Sequence, residues 1–98
     1  MNSKLKNEAN DYLFEAILQL NNVDECYDFF EDLCTVNEIK SISQRIAVAK
    51  MLREGHIYSD IVAATGASTA TISRVNRSLL YGNNGYDTVF DRLENKKD

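Results

Sequence analysis

Residues 66–82 read GASTATISRVNRSLLYG, and this stretch gives the strongest indication of the fold class. Its apolar side chains recur at helical spacing, at Ile72, Val75 and Leu79. The pattern predicts an amphipathic helix from about residue 69 to residue 80. Ser68 stands immediately before that helix, where its hydroxyl oxygen can accept a backbone N–H of the first turn. Ser68 is therefore the predicted N-cap.

A shorter helix is predicted just before this one. It covers residues 58–65 and has Ile61 on its buried side, and Gly66 follows where the chain must turn sharply. A short helix, a glycine turn and a second helix with buried apolar residues form the helix-turn-helix pattern. We expect this motif over about residues 57–80.

The outward side of the second helix is small, polar and basic. Six residues make up this side: Ser68, Thr69, Ala70, Ser73, Arg74 and Arg77. The N-terminal end of a recognition helix enters the major groove of DNA, where small side chains allow close approach and hydroxyls can bond base edges. Thr69, Ala70 and Ser73 are expected to contact bases. Arg74 and Arg77 are expected to contact phosphates, and the alternative is a helical hairpin whose polar face is merely solvated.

The charge distribution supports a nucleic-acid partner although the net charge is −4. Residues 1–39 carry two lysines against nine carboxylates, whereas residues 40–81 carry six cations against two carboxylates. The last stretch, residues 82–98, has a balance of −1. This asymmetry is typical of a basic working half and an acidic half that faces solvent or a partner.

The remaining sequence also shows helical patterns. With 98 residues, 44% hydrophobic and 27% charged, the chain is expected to form a single all-α domain over residues 1–98. Further helices are predicted at residues 7–20, at residues 23–33, from the cap at Thr35 to about Arg53, and at residues 87–94. Thr35 and Glu38 have capping-box spacing. The residues of the third helix expected to face inward are Ile39, Ile42, Ile46, Ala49 and Leu52.

Secreted and membrane proteins are not expected. The opening MNSKLKNEANDYL is too polar for a signal peptide, and no apolar run reaches membrane-spanning length. A cytoplasmic location without a membrane partner follows as an expectation. Cys26 and Cys34 agree with it, because on one helix they would lie ~12 Å apart along the axis and could not form a disulfide. Both are expected as reduced thiols.

Catalysis and metal binding are not expected either. His56 is the only histidine, it is distant from both cysteines, and no CxxC spacing occurs. The chain also lacks a recognisable nucleophile–base pair or phosphate loop. The sequence therefore predicts a protein that is not an enzyme and has no metal or cofactor.

Residues 33–81 resemble the Trp-repressor superfamily. The stretch TGASTATISRVNRSLLYG is most similar to its small YerC/YecD branch, and LCTVNEIKSISQRIAVAKMLREG matches the long third helix. The N-terminal helices match only in length and character. The resemblance implies a Trp-repressor-like fold, an intertwined homodimer whose two helix-turn-helix heads read double-stranded DNA. It implies a repressor on a palindromic operator with half-sites about one helical turn apart.

The resemblance also implies a pocket for a small effector. Trp repressors bind their amino-acid corepressor between the third helix and the recognition helix. The residue types around that pocket are kept at Thr35, Arg45, Arg74 and Ser78. Two arginines could stack on a flat ligand and bond its carboxylate, but Val75 stands where the repressor has glycine and would intrude on an indole. We expect an effector other than tryptophan, or a pocket filled by Val75 and its neighbours.

Other positions depart from the repressor pattern. Asp32 and Cys34 replace leucines of the repressor's pocket. In the first helix of the motif, Ser59 and Val62 stand where the repressor uses an arginine and a lysine toward DNA, and Ile57 stands where a serine cap would sit. The operator is therefore expected to differ from the trp operator.

Two other functions fit the same residues. A non-specific DNA-binding protein is favoured by the lack of long polar side chains among the expected base contacts, and it would bind through phosphates alone. A helical protein–protein interaction module would tolerate Thr69→Ala and Ser73→Ala and would show no salt-dependent DNA binding. The two arginines Arg45 and Arg74 could also serve in ion pairs or in phosphate contacts.

Overall fold

The computed structural model describes residues 3–96, and within them it contains six α-helices and no β-strand. The helices are α1 (Glu8–Ile17), α2 (Val23–Leu33), α3 (Val36–Arg53), α4 (Tyr58–Thr65), α5 (Thr69–Tyr81) and α6 (Gly85–Asn95). The all-α prediction is confirmed. The described residues form two compact units, one up to Val36 and the other from Asn37. The single domain over residues 1–98 stays a prediction.

The N-terminal unit contains α1 and α2, and each helix starts at an asparagine cap. The Asn7 side chain accepts the Asn10 N–H at 2.8 Å, and the Asn22 side chain accepts the Glu25 N–H at 2.9 Å. No residue within Glu8–Ile17 or Val23–Leu33 is buried. The large apolar side chains left exposed on these helices are Tyr12, Phe14, Val23, Tyr27 and Leu33, and the C-cap of α1, Leu18, is exposed as well.

The hydrophobic core lies in the C-terminal unit. Its buried residues are Val48, Ala49, Ile61, Ala67, Ile72, Val75 and Phe90. They come from α3, α4, the turn after α4, α5 and α6, so the helix-turn-helix is anchored on the other two helices of the unit. The predicted burial of Ile61, Ile72 and Val75 is confirmed. Burial of such a side chain stabilises the fold by about 1.5–3 kcal/mol.

Helix α3 ends as predicted, but part of its apolar stripe is uncovered. Ala49 is buried, and Ile39 and Leu52 are half-buried. Ile42 and Ile46 are 43% and 48% exposed. The prediction that these two face inward is therefore wrong for the single chain, because periodicity identifies an apolar face without identifying what covers it.

Helix α6 begins two residues earlier than predicted. Its N-cap is Asn84, which adopts a left-handed conformation with φ 61° that asparagine tolerates better than most residues. Phe90 of α6 is buried, whereas Val89 and Leu93 are 54% and 52% exposed. The helix thus contributes one side to the core and leaves an apolar side uncovered.

Arg53, the last residue of α3, forms ion pairs with α6. Its Nε lies 3.3 Å from a carboxylate oxygen of Asp87, and its guanidinium also pairs with Asp91. The same guanidinium lies 5.6 Å from the centre of the Phe90 ring, in range of a cation–π contact. The hydrogen bond to Asp91 raises the pKa of Arg53 above its ordinary value.

The other differences from the sequence prediction are small. Helix α1 ends at Ile17, and residues 18–20 leave the helix in a turn. Helix α5 is one residue longer than predicted and ends at Tyr81. Cys26 and Cys34 are free and half-buried, and Cys34 lies just beyond α2 as its C-cap. None of the helices among residues 3–96 is long and apolar enough to cross a bilayer.

Candidate nucleic-acid interface

The turn between α4 and α5 is fixed by a glycine and a threonine. Gly66 ends α4 in the left-handed region with φ 72°, and its N–H donates to the Val62 carbonyl at 2.9 Å. The Thr65 hydroxyl donates to the Ile61 carbonyl at 2.7 Å and accepts the Ala67 N–H at 3.1 Å. These bonds fix the path of the backbone from α4 to α5.

A side chain from α3 is attached to the same turn. The amide nitrogen of Gln44 donates to the Thr65 carbonyl at 3.2 Å in a partly buried position. Ala67 is only 2% exposed, so the turn itself belongs to the core. Sequence reasoning misses Gln44, because a polar residue between apolar ones is ordinarily interpreted as solvent-exposed.

Ser68 caps α5 as predicted. Its Oγ accepts the Thr71 N–H at 3.1 Å and donates to the Thr71 Oγ1 at 3.1 Å. The first turn of α5 is completed by the Ile72 N–H, which donates to the Ser68 carbonyl at 3.0 Å. The Ser68 hydroxyl is therefore engaged in holding the start of the helix, and its donated proton is already used.

The other candidate DNA-contacting residues lie on the exposed side of α5. All six residues of the predicted face are exposed: Ser68, Thr69, Ala70, Ser73, Arg74 and Arg77. The opposite side of the helix carries Ile72 and Val75, both buried. The structure thus places the small hydroxyl residues near the N-terminal end of α5 and the arginines along its middle.

The charge on α5 has one sign. Arg74 and Arg77 take part in none of the ion pairs found among residues 3–96, and the helix contains no carboxylate. Arg53, by contrast, is paired with two carboxylates of α6. The arginines of α5 therefore present uncompensated positive charge at the surface, as anion-binding residues do.

Helix α4 contributes little charge to this surface. Its N-cap, Ile57, makes no side-chain capping bond, as its apolar side chain requires. Ser59 and Val62 are exposed, and Asp60 is the one charged residue of the helix. A nucleic acid lying on α4 would meet hydroxyl and apolar groups rather than cations.

The residues of the predicted effector pocket are not all described in one unit. Thr35 belongs to the N-terminal unit, whereas Arg45, Arg74 and Ser78 belong to the C-terminal unit, where all three are exposed. Ser78 borders a mainly apolar groove of about 510 Å³ between α5 and α6. Neither arginine lines that groove, and the pocket stays a prediction.

The described residues show no arrangement suited to a metal. Within residues 3–96, no group of three or more histidine, cysteine, aspartate or glutamate side chains could hold an ion. His56 lies 3.7 Å from the Glu54 carboxylate, and both are exposed.

A family model for the Trp repressor protein matches residues 8–94. The chain belongs to the Trp repressor family. Membership indicates a DNA-binding regulator rather than an enzyme. It agrees with the architecture of the C-terminal unit, in which a helix-turn-helix presents a basic, small-residue helix.

Relatives of this Trp repressor-family chain include proteins of known structure. It is 56% identical over 91 residues to the uncharacterized protein YerC of Bacillus subtilis (strain 168), an alignment that covers 93% of this chain and 88% of YerC. A TrpR-like protein from Eubacterium eligens ATCC 27750 is 68% identical, with a TM-score of 0.90 over 95% of this chain and 96% of that one. The resemblance to the YerC branch is confirmed.

A second solved structure comes from Staphylococcus aureus. This protein, provisionally assigned to the Trp repressors, is 58% identical to the chain, with a TM-score of 0.89. The match covers 93% of this chain and 91% of the other. The Trp-repressor-like fold therefore holds along nearly the whole sequence, including α1 and α2, which sequence reasoning matched only in length and character.

Proposed function

We propose that this chain is a sequence-specific transcriptional regulator that acts as a homodimer on a palindromic operator and represses transcription there. The observation that carries the proposal is the outward face of α5. That face combines small hydroxyl residues at the N-terminal end of the helix with two arginines that no carboxylate neutralises within the described residues. Action on promoter DNA would place the protein in the cytoplasm.

The proposed contacts divide by chemistry. Thr69, Ala70 and Ser73 face outward on the first two turns of α5, where short side chains let the helix backbone approach base edges. Arg74 and Arg77 follow and would neutralise phosphates. Ser68 acts mainly as the cap that fixes where these side chains begin. Phosphate contacts set affinity and register, and base contacts set the sequence that is read.

A twofold homodimer explains the apolar side chains that the single chain leaves uncovered. Neither α1 nor α2 buries a residue, and Ile42, Ile46, Val89 and Leu93 are each about half exposed. Exposed apolar side chains that share one surface, as Ile46, Val89 and Leu93 do around one groove, are typical of protein–protein interfaces. The acidic residues 1–39 and the basic residues 40–81 are complementary in charge, which favours pairing of unlike regions from two copies.

An effector would act by changing the orientation of α5, the proposed recognition helix, relative to α3. The proposed ligand contacts are Thr35, Arg45, Arg74 and Ser78, and the ligand is a small molecule other than tryptophan. The burial of Val75, which is 2% exposed within the core, supports this exclusion, because its side chain takes space that a glycine would leave. A regulator that needs no effector is the alternative if Val75 and its neighbours fill the pocket.

The test is selection of bound duplexes from a random DNA pool by the purified protein near physiological salt. We expect a palindromic motif whose half-sites lie about 34–36 Å apart, one helical turn. Binding without a motif would instead support the non-specific DNA-binding protein. A monomeric protein that retains no duplex would support the protein–protein module and overturn the proposal.

A further inference from the structure

Tyr81, the last residue of α5, is the most exposed large apolar or aromatic side chain of the C-terminal unit. It is 81% exposed, more than any other large apolar or aromatic residue of the described chain. Its side chain takes part in no aromatic pair, cation–π contact or side-chain hydrogen bond found among residues 3–96. A tyrosine left in this way keeps both a ring and a hydroxyl donor available to a partner.

Tyr81 lies on the same side of α5 as the arginines. At ~100° per residue, it is about 20° from Arg74 and about 40° from Arg77 around the helix axis. Ile72, which is fully buried, lies about 180° away from it by the same geometry. Tyr81 is therefore near the middle of the outward face and continues the row of proposed DNA contacts to the C-terminal end of the helix.

Its position along the helix determines which part of DNA it can reach. Tyr81 follows Ala70 by about 16 Å along the axis at ~1.5 Å per residue. The major groove is only about 12 Å wide. If the first turns of α5 contact base edges, the end of the helix is level with the sugar-phosphate backbone. A phenol hydroxyl there meets phosphate oxygens, which accept hydrogen bonds.

We propose that Tyr81 is a further DNA-contacting residue, whose phenol hydroxyl donates a hydrogen bond to a backbone phosphate beyond those held by Arg74 and Arg77. This inference rests on the proposed function. The partner is DNA because the row that Tyr81 extends carries two cations and no carboxylate, which suits a polyanion. A phenol is neutral, so its contact differs from those of the arginines in one measurable way.

That difference is the salt dependence of binding. Each phosphate neutralised by a cation contributes about 0.9 to the slope of log affinity against log salt concentration. A neutral donor releases no counterion, so its removal lowers affinity at every salt concentration and leaves the slope unchanged. A phosphate contact also carries no base information, so removing it leaves the preferred sequence unchanged.

The experiment compares wild type, Tyr81→Phe and Tyr12→Phe on the duplex obtained by selection. Tyr12 is the matched control, a tyrosine 75% exposed on α1. Binding is followed by fluorescence anisotropy over a salt series, and the selection is repeated with Tyr81→Phe. We expect Tyr81→Phe to weaken binding about ten-fold or more, with the slope and the selected motif unchanged, because the variant cannot donate a hydrogen bond to the charged phosphate. Tyr12→Phe should bind as wild type does.

Other outcomes overturn the inference separately from the proposed function. Wild-type affinity in Tyr81→Phe would remove Tyr81 from the interface while the regulator stands. A changed motif would make Tyr81 a base-reading residue. If DNA-free Tyr81→Phe differed from wild type in molar mass by light scattering, a second copy of the chain would be the partner that covers the Tyr81 ring. Absence of duplex binding by wild type would overturn both proposals.

Discussion

The hydroxyl group of Ser68 is bound twice to Thr71, through the backbone N–H and through the side-chain oxygen, both at 3.1 Å. The pair connects the residue before α5 to its first turn, immediately after the glycine turn. It therefore sets the position at which the exposed face of the helix begins. Loss of these two hydrogen bonds is expected to lower the stability of the protein. It is also expected to weaken DNA binding, because the first turn of α5 would be less well ordered.

Two replacements of Ser68 distinguish the contribution of its side-chain cap to stability from that of the backbone conformation at this position. Ser68→Ala removes the acceptor for the Thr71 N–H and is expected to lower the free energy of unfolding by about 1 kcal/mol. Ser68→Gly should lower it by only a few tenths of that amount, because glycine leaves the N–H open to water. Urea unfolding at one protein concentration, followed by circular dichroism, measures both. Equal stability of all three proteins would contradict the assigned cap.

Replacement of Gly66 is expected to destabilise the protein through backbone strain alone. A Cβ added at this position would meet no atom within 4 Å, so steric overlap does not contribute. Its φ of 72° is left-handed, and a residue with a Cβ is destabilised there by about 1–2 kcal/mol. Gly66→Ala should therefore lower the melting temperature. Gly85→Ala is the matched control, because that glycine begins α6 with equal free space and without a positive φ. A melting temperature of Gly66→Ala equal to that of the control would refute the strain argument.

The helix-turn-helix was predictable because its signals are local. Gly66 and Ser68 determine the turn and the cap within three residues, and the burial of Ile61 and Ile72 follows from spacing alone. The start of α6 was not, because the left-handed conformation of Asn84 adds two residues to the helix that periodicity does not show.

The sequence also does not show which part of the molecule covers each apolar helix face. Ile42 and Ile46 have the spacing of core residues, and a helical pattern is identical whether its own chain or another copy covers it. The clamp of Arg53 on α6 was missed for a related reason, since it joins residues 34 and 38 positions apart. The residue types of the candidate DNA face were predictable, but their base and phosphate partners depend on a molecule outside the chain.

Arg53 is expected to stabilise the C-terminal unit in a salt-dependent manner. Arg53→Met removes the pairs with Asp87 and Asp91 and should lower the melting temperature at low salt, with a smaller difference at high salt because salt screens exposed charges. The melting temperature of Arg53→Lys should lie between those of wild type and Arg53→Met, since an ammonium cannot pair with both carboxylates in the same fork geometry. Thermal melts at two salt concentrations measure this. A salt-independent decrease would assign the effect to packing on Phe90.

The pH dependence of this clamp follows from the direction of the Arg53 shift. The pKa of Arg53 is raised by the hydrogen bond to Asp91, so the folded state favours the charged guanidinium. Its contribution is fully present below the unfolded pKa and is lost only as pH rises through the higher folded pKa, and both lie in the strongly alkaline range. Wild type and Arg53→Met should therefore differ in melting temperature by the same amount from mildly acidic to mildly alkaline pH. A difference that fades between neutral pH and pH ~9 would contradict the assignment.

Arg77 is predicted to contact a phosphate rather than a base. Arg77→Ala should weaken binding to every duplex and flatten the salt slope by about 0.9 for each phosphate that the variant no longer neutralises. Arg92→Ala is the control, because Arg92 is an exposed arginine on α6, away from the proposed face. Anisotropy titrations at several salt concentrations give both quantities. If Arg77→Ala kept the affinity and the slope of wild type, Arg77 would be an ordinary surface arginine.

Ile46 is predicted to lie in the interface of the homodimer. In the single chain it is 48% exposed on α3 and borders the groove that Val89 and Leu93 of α6 also line. Ile46→Ser should raise the dimer dissociation constant about a hundred-fold or more, because burying an isoleucine contributes about 1.5–3 kcal/mol and a twofold interface contains the residue twice. Ile57→Ser is the matched control, since Ile57 is more exposed, at 64%, and precedes α4. Sedimentation equilibrium without DNA measures the constant, and equal dimerisation of the two variants would place the interface elsewhere. The same measurement bears on DNA binding, because a weakened dimer should lose affinity for the palindrome while a single half-site duplex is bound as before.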